Sequence, residues 1–253
     1  MTDQEKGMVT GKYWDRPWSL VENCTKVSPG CDHCWLQDIN HRFHRDGPVT
    51  FREDRLDLPL RARKPKVWSI WSDLFHETVT DVQIDKAFTR MFSRPEHKFF
   101  VLTKRPERLQ RWVADWNPGW QYKGLGRNIW FGVTGENQDQ LKHRAWTLLQ
   151  TFVPHRFVSI EPLLGPVDLN EPELIYEGWR KKATIGTYLD FVIVGPETGP
   201  KRRECRPEWI RSVVEQCSSA SVPVWVKAFP VKGKISHDMA EWPEWARRRE
   251  LPF

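Results

Sequence analysis

Cys24, Cys31 and Cys34 fall within eleven residues, in the run Cys24-Thr-Lys-Val-Ser-Pro-Gly-Cys31-Asp-His-Cys34. Thiolates this close in sequence can wrap a compact inorganic centre, and three of them are one short of a closed site. A metal or cluster held this way keeps one position open for chemistry. Cys31-x-x-Cys34 is the tight pair, and Pro29-Gly30 supplies the turn that brings Cys24 around. The local spacing admits a 4Fe–4S cluster or a zinc ion, the latter with His33 or a later histidine as fourth ligand in a small structural knuckle.

The elements that must position this loop follow from hydrophobic periodicity. Short apolar runs recur at Val67–Trp71, Phe99–Leu102, Ile129–Val133, Phe157–Ile160, Phe191–Val194 and Val224–Val226, each the length of a buried strand. A first strand is expected near Trp18–Val21. Helical spacing lies between them: Leu36, Ile39 and Phe43; Ile84, Phe88 and Met91; Leu109, Trp112, Val113 and Trp116; Leu141, Ala145, Leu148 and Phe152; Ile210, Val213, Val214 and Cys217. Strand–helix alternation predicts an α/β fold with a parallel sheet, read as a full or partial (β/α) barrel. A doubly wound open sheet is the alternative, and the chain has no Gly-x-Gly-x-x-Gly turn to favour it. The reading is of one barrel domain over residues 1–253, with the cysteine loop at 22–35 and an irregular insertion near 170–188.

In such folds the chemistry sits beyond the carboxyl ends of the strands. The residues there are polar: Ser72, Asp73 and His76; Thr103, Lys104 and Arg105; Thr134, Glu136 and Asn137; Glu161; Glu197; and Lys227. Glutamates at strand ends also start helices, where the dipole favours them. Their recurrence after successive strands points to convergence on one rim, and placement after a first barrel strand favours iron–sulfur over zinc. Cys217 belongs to an apolar helix face. Cys205 is expected in a loop at the rim, either as a hydrogen-atom donor to a substrate radical or as an ordinary surface cysteine.

Several blocks carry a resemblance. Trp18-Ser-Leu-Val-Glu-Asn-Cys24 through Cys34, Ser72-Asp-Leu-Phe-His76, Leu102-Thr-Lys-Arg-Pro-Glu-Arg108, Ser159-Ile-Glu-Pro-Leu-Leu-Gly-Pro166 and Glu241-Trp-Pro243 resemble the phage Gp37/Gp68-like family, DUF5131, also called three-Cys-motif proteins. That family is similar to radical S-adenosylmethionine enzymes. The resemblance implies a 4Fe–4S cluster on Cys24, Cys31 and Cys34, with S-adenosylmethionine as the second cofactor. The open iron binds the cofactor's amino and carboxylate groups, and electron transfer yields a 5′-deoxyadenosyl radical. Two departures stand out. Six residues fill the first cysteine gap where Cys-x3-Cys-x2-Cys is commoner, and Gly195-Pro-Glu-Thr-Gly-Pro200 replaces the family's Gly-Gly-Glu-Ser-Gly-Pro, so Pro196 removes a backbone donor.

Carried onto this chain, the radical-enzyme pattern sets Ser72 and Asp73 against the methionine amino group. Lys104 or Arg105 would meet the carboxylate, Glu136 and Asn137 the ribose, and Glu161 and Glu197 the adenosyl part or the substrate; Thr103 joins the cofactor-binding set. Lys201, Arg202, Arg203 and Arg206 would rim the mouth and receive a phosphate-bearing substrate. A flavodoxin or ferredoxin is the electron donor that such chemistry implies.

Composition bounds the alternatives. The chain has 253 residues, 39% of them hydrophobic, 15 tryptophans and a net charge of +6. Five cysteines, three of them clustered, do not suggest a disulfide framework. No apolar run is long enough for a membrane span and the first residues do not read as a secretory signal, so the expected location is cytoplasmic. The basic balance suits a nucleotide or nucleic-acid substrate, and the run Arg247–Arg249 reads as a solvated face. A zinc-stabilised nucleic-acid-binding protein is the alternative function, and a Schiff-base lyase on Lys104 or Lys227 is the third.

Overall fold

A computed structural model describes residues 10–115, 126–170 and 185–253. In chain order its elements are β1 (Arg16–Trp18), β2 (Val21–Glu22), α1 (Trp35–Arg42), β3 (Thr50–Phe51), β4 (Val67–Ile70), α2 (Asp81–Phe92), β5 (Lys98–Thr103) and α3 (Pro106–Asp115). There follow β6 (Ile129–Thr134), α4 (Gln138–Leu149), β7 (His155–Ile160), β8 (Phe191–Val194), α5 (Pro207–Ala220), β9 (Val224–Val226), β10 (Phe229–Val231) and β11 (Lys234–Ser236). Seven strands form one sheet in the order β1-β4-β5-β6-β7-β8-β9. The pairs β1·β4, β4·β5, β7·β8 and β8·β9 are parallel. Spatial order follows chain order without reversal, so there is no switch point of the doubly wound kind. The α/β parallel-sheet expectation holds, with β1 and β9 at its edges.

The chain groups into two compact units. One holds residues 14–132 and 151–155. Its core is aromatic: the Phe88 ring lies 4.3 Å from Trp112 and stacks on Phe131 at 5.6 Å, and Trp18 meets Phe99 at 5.8 Å. Helix α2 starts where Thr80 and Gln83 form a reciprocal capping box and buries Ile84, Phe88 and Met91 completely. Helix α3 starts at Pro106 and buries Leu109, Trp112 and Val113; Trp116 lies outside the described residues.

The other unit holds residues 10–13, 133–150 and 156–253. Helix α4 begins at the cap Asn137 and α5 at Pro207, and each turns its predicted apolar face inward. Gly135 is required between β6 and α4: a Cβ there would lie 2.7 Å from the Leu141 backbone. The antiparallel hairpin β10–β11 follows β9. Arg249 is buried, with its guanidinium 4.9 Å from the Trp242 ring and 6.0 Å from Trp225.

Four expectations need correction. The sheet strand is Arg16–Trp18, not Trp18–Val21: a turn closed by Leu20 N–H to the Trp18 carbonyl sends Val21–Glu22 to pair antiparallel with β3 instead. Helix α1 forms, but Ile39 and Phe43 stay exposed rather than joining a core. Phe152 is 66% exposed because α4 ends at Leu149, before the periodicity reaches it. Arg249, expected in a solvated basic run, is held inside by carbonyls of Val226, Lys227 and His237. Of the expected insertion near 170–188, only Asn170 and the short 3-10 turn Ile185–Tyr188 are among the described residues.

The most deeply buried ion pair joins Glu136 to Arg144 at 2.8 Å, with side chains 0% and 4% exposed. Arg144→Met would leave the carboxylate buried without its countercharge and should cost about 3–5 kcal/mol. Urea unfolding should show the midpoint drop, and Glu136→Leu combined with Arg144→Met should recover part of the loss.

Candidate functional site

The cysteine loop is fastened at three points, all in the first unit. At its start Asn23 adopts a left-handed backbone, φ 63°, which asparagine tolerates better than most residues. Its side chain accepts from Asn40 at 2.7 Å and donates to the Pro48 carbonyl at 3.2 Å. Near its end, Trp35 packs edge-on against Trp71 at 4.9 Å, and Trp71 in turn meets Trp14. Between these, Pro29–Cys31 forms a short 3-10 turn that buries Cys31, while Cys24 and Cys34 are half-buried and all five cysteines are free thiols.

The third fastening is a charged network on the loops after β4 and β5. Arg105 donates from Nε to Glu77 at 2.7 Å and from Nη1 to Asp73 at 2.8 Å. It also donates from Nη2 to the Thr25 hydroxyl at 2.7 Å, and Nη1 reaches the Cys24 sulfur at 3.8 Å. Asp73 is buried and accepts four bonds, from Phe75 N–H, the Thr103 hydroxyl, Lys104 N–H and Arg105. Ser72, immediately before it, has φ 61°, a strained backbone for a serine. His76 is buried too. Its Nδ1 accepts from Thr78 N–H at 3.2 Å, so the proton sits on Nε2 and is donated to the Thr25 hydroxyl at 2.8 Å.

The electrostatics follow from burial. Desolvation, and then Arg105, hold the His76 pKa below the usual histidine value. Burial and the Asp73 carboxylate push the Cys24 thiol up, while Arg105 pulls against them. Arg105 itself stays charged despite burial, because Asp73 stabilises it.

These contacts place the predicted residues. Ser72, Asp73, Thr103, Lys104 and Arg105 do come together beside Cys24, but Asp73, Thr103 and Arg105 are spent on one another. Asp73 fills the roughly four acceptor positions a carboxylate has. The Ser72 hydroxyl and the Lys104 ammonium have no partner among the described residues. Sequence reasoning gave no role to Thr25 or Glu77, and left His76 unassigned; the Ser72–His76 block was the available signal.

In the second unit the predicted acids are engaged. Glu136 is wholly buried against Arg144, which leaves no exposed oxygen for a ribose hydroxyl. Asn137 caps α4 by accepting from Gln140 N–H at 3.0 Å. Both Glu161 oxygens lie 2.8 Å from the Lys227 ammonium. Burial works against that ammonium, yet Glu161 and Tyr13 raise its pKa above the ordinary lysine value, the opposite of what an amine nucleophile needs. Glu197 is buried and takes the Arg203 N–H and guanidinium. Arg206 lies over the Trp209 ring near Glu204, and Lys201 is exposed. Cys205 is buried, not a surface cysteine, and burial with Glu204 pushes its thiol up to about 12.

The family model described as "Protein of unknown function (DUF5131)" matches residues 10–248. The chain belongs to that family. The membership expected from the sequence blocks therefore holds for this DUF5131 protein. No curated protein and no solved structure matches it. Among the described residues no helix is long and apolar enough to cross a membrane, and no three His, Cys, Asp or Glu side chains are gathered tightly enough to hold a metal ion. Cys24, Cys31 and Cys34 are three free thiols on one anchored loop, with the Arg105 guanidinium 3.8 Å from the Cys24 sulfur, where it would offset thiolate charge; a zinc ion and a four-iron cluster both take thiolate donors of this kind.

Arg105→Lys keeps the charge but cannot serve Asp73, Glu77 and Thr25 together. Amides of residues 24–34 should then exchange about tenfold faster or more, with the melting temperature little changed; hydrogen exchange with mass spectrometry measures this. The thiols of Cys205 and Cys217 both stand at about 12 against an ordinary value of 9.0. Their folded pKa values are raised, so their contribution to stability is full below pH 9 and is lost as the pH climbs towards 12. Chemical unfolding between pH 8 and 11 should show a steeper loss for the native sequence than for Cys205→Ala/Cys217→Ala.

Proposed function

We propose that the protein is a radical S-adenosylmethionine-type enzyme built on a full or partial (β/α) barrel, acting on a nucleotide or nucleic-acid base. Cys24, Cys31 and Cys34 would hold its 4Fe–4S cluster. When bound, that cluster would supply one-electron reduction of S-adenosylmethionine and so the 5′-deoxyadenosyl radical. The observation that carries the reading is the anchored loop: three free thiols after β2, with the Cys24 sulfur 3.8 Å from an Arg105 nitrogen. The strand order, which follows chain order, supports the barrel.

The chain's own residues divide the work. Arg105 and Asp73 position Cys24 and Thr25 and counter thiolate charge; His76, held neutral, fixes Thr25 from the other side. Ser72 precedes Asp73 in the chain and the Lys104 backbone N–H donates to it; their hydroxyl and ammonium, without partners among the described residues, would be available for the amino and carboxylate groups of the cofactor. The reading thus narrows the expected contacts to these two side chains and gives Asp73, Thr103 and Arg105 a positioning role. Cys205 keeps its proton at neutral pH, the state from which a thiol gives up a hydrogen atom. A flavodoxin or ferredoxin would deliver the electron.

Protein purified under nitrogen should be brown and carry about four irons and four sulfides per chain. Cys31→Ser should lose that colour, and the reduced native protein should cleave S-adenosylmethionine. Colourless protein with one zinc per chain would defeat the proposal and favour the nucleic-acid-binding alternative.

A further inference from the structure

A second site lies in the unit that holds β7, β8 and β9. The loop after β8 and the β10–β11 hairpin border a solvent-open cleft of about 330 Å³, lined by Thr198, Gly199, Pro200, Arg202, Lys234, Ile235 and His237, most of them exposed. Its guanidinium, like that of Arg249, is held by carbonyls rather than by an acid. Arg105, Arg144, Arg203 and Lys227 are each neutralised by a carboxylate. Arg202 instead donates to two carbonyls, Gly199 at 3.2 Å and Gly233 at 2.7 Å. These bonds tie the loop to the hairpin and orient the guanidinium while leaving its charge intact.

The other polar groups point the same way. The Lys234 ammonium and the Thr198 hydroxyl have no partner among the described residues. His237 donates from Nδ1 to the Lys227 carbonyl at 3.1 Å, which leaves Nε2 as its free nitrogen. Behind it, Arg249 donates to the His237 carbonyl at 2.8 Å and adds positive potential to that wall. The nearby acids each accept a bond from an uncharged donor, Asp238 from Ala240 N–H and Glu241 from the Ser236 hydroxyl, and neither forms an ion pair with Arg202 or Lys234. Pro200 and Ile235 supply apolar wall. The volume falls at the small end of ligand pockets, far too small for a duplex.

We infer that this cleft binds the phosphate of a mononucleotide-sized ester, with Arg202 and Lys234 as its charged contacts. An oriented guanidinium without a carboxylate is suited to forked contact with phosphate oxygens. The nucleotide part rests on the function proposed above; the phosphate site rests on the cleft alone. It also redistributes the expected basic rim: Arg203 and Arg206 are engaged elsewhere, and Lys234 takes their place.

Calorimetric titration of the metal-free protein with a 5′-mononucleotide, inorganic phosphate and the matching nucleoside tests this. The mononucleotide should bind, phosphate should compete, and the nucleoside should not bind. Lys234→Ala and Arg202→Ala should each weaken binding about tenfold to hundredfold, the loss of one charge-assisted contact, whereas Arg211→Ala, the same charge change outside the cleft, should not. Lys234→Ala keeps the test open if Arg202→Ala fails to fold. No saturable binding of either phosphate compound, equal binding of the nucleoside, or unchanged affinity in Lys234→Ala overturns the assignment. Phosphate binding by native protein that holds no iron even when purified under nitrogen would sustain the cleft and remove the radical reading. Iron-loaded protein that binds no phosphate would do the reverse.

Discussion

One guanidinium organises the cysteine loop. Arg105 makes five contacts, to Glu77, Asp73, the Cys24 sulfur and both oxygens of Thr25. A buried charge is tolerated only when its partners are complete, and here Asp73 is equally filled from its own side. The pair therefore acts as a rivet between the strand-end loops of β4 and β5 and the segment carrying the thiols. The left-handed Asn23 and Ser72 flank it, and backbone strain of about 1–3 kcal/mol per residue persists only where surrounding contacts enforce it. The cysteines thus sit on a fixed support rather than on a free loop.

The same rule shapes the strand-end glutamates. Glu136, Glu161 and Glu197 look, in sequence, like a set of free acids. Each is instead matched with a cation: Arg144 one helix further on, Lys227 at the end of β9, and Arg203 in the same loop. Low dielectric makes an unmatched interior carboxylate expensive, so pairing is the cheaper outcome. Arg202 has no such match among the described residues, and unlike the buried Arg249 it lines a solvent-open cleft, where an unpaired guanidinium is a recognition feature.

Much of the scaffold could be read beforehand. The 3.6-residue period of Ile84, Phe88 and Met91, or of Ile210, Val213, Val214 and Cys217, reports burial because a helix has one inward face. The β-branched runs at Phe157–Ile160 and Phe191–Val194 report strands buried on both sides. The same logic misled at Leu36, Ile39 and Phe43, since a period shows which residues share a face but not whether anything covers it. For the cysteine site, residue types and strand ends were visible. The partners were not: Thr25 and Arg105 are 80 residues apart, and no local spacing encodes that contact. The hairpin's share of the cleft was equally hidden, because Lys234 and His237 carry no motif.

Arg249 has a practical corollary. Its guanidinium gathers carbonyls from β9, from Lys227 and from the segment after β11, four residues before Phe253, whose side chain is 49% exposed. A reporter fused behind Phe253 would hang from a solvent-facing tail. Trimming the polypeptide back past Arg249 would instead unclasp the strand edge from the hairpin, and the phosphate cleft would lose its backing wall while the thiol loop in the other unit kept its rivet.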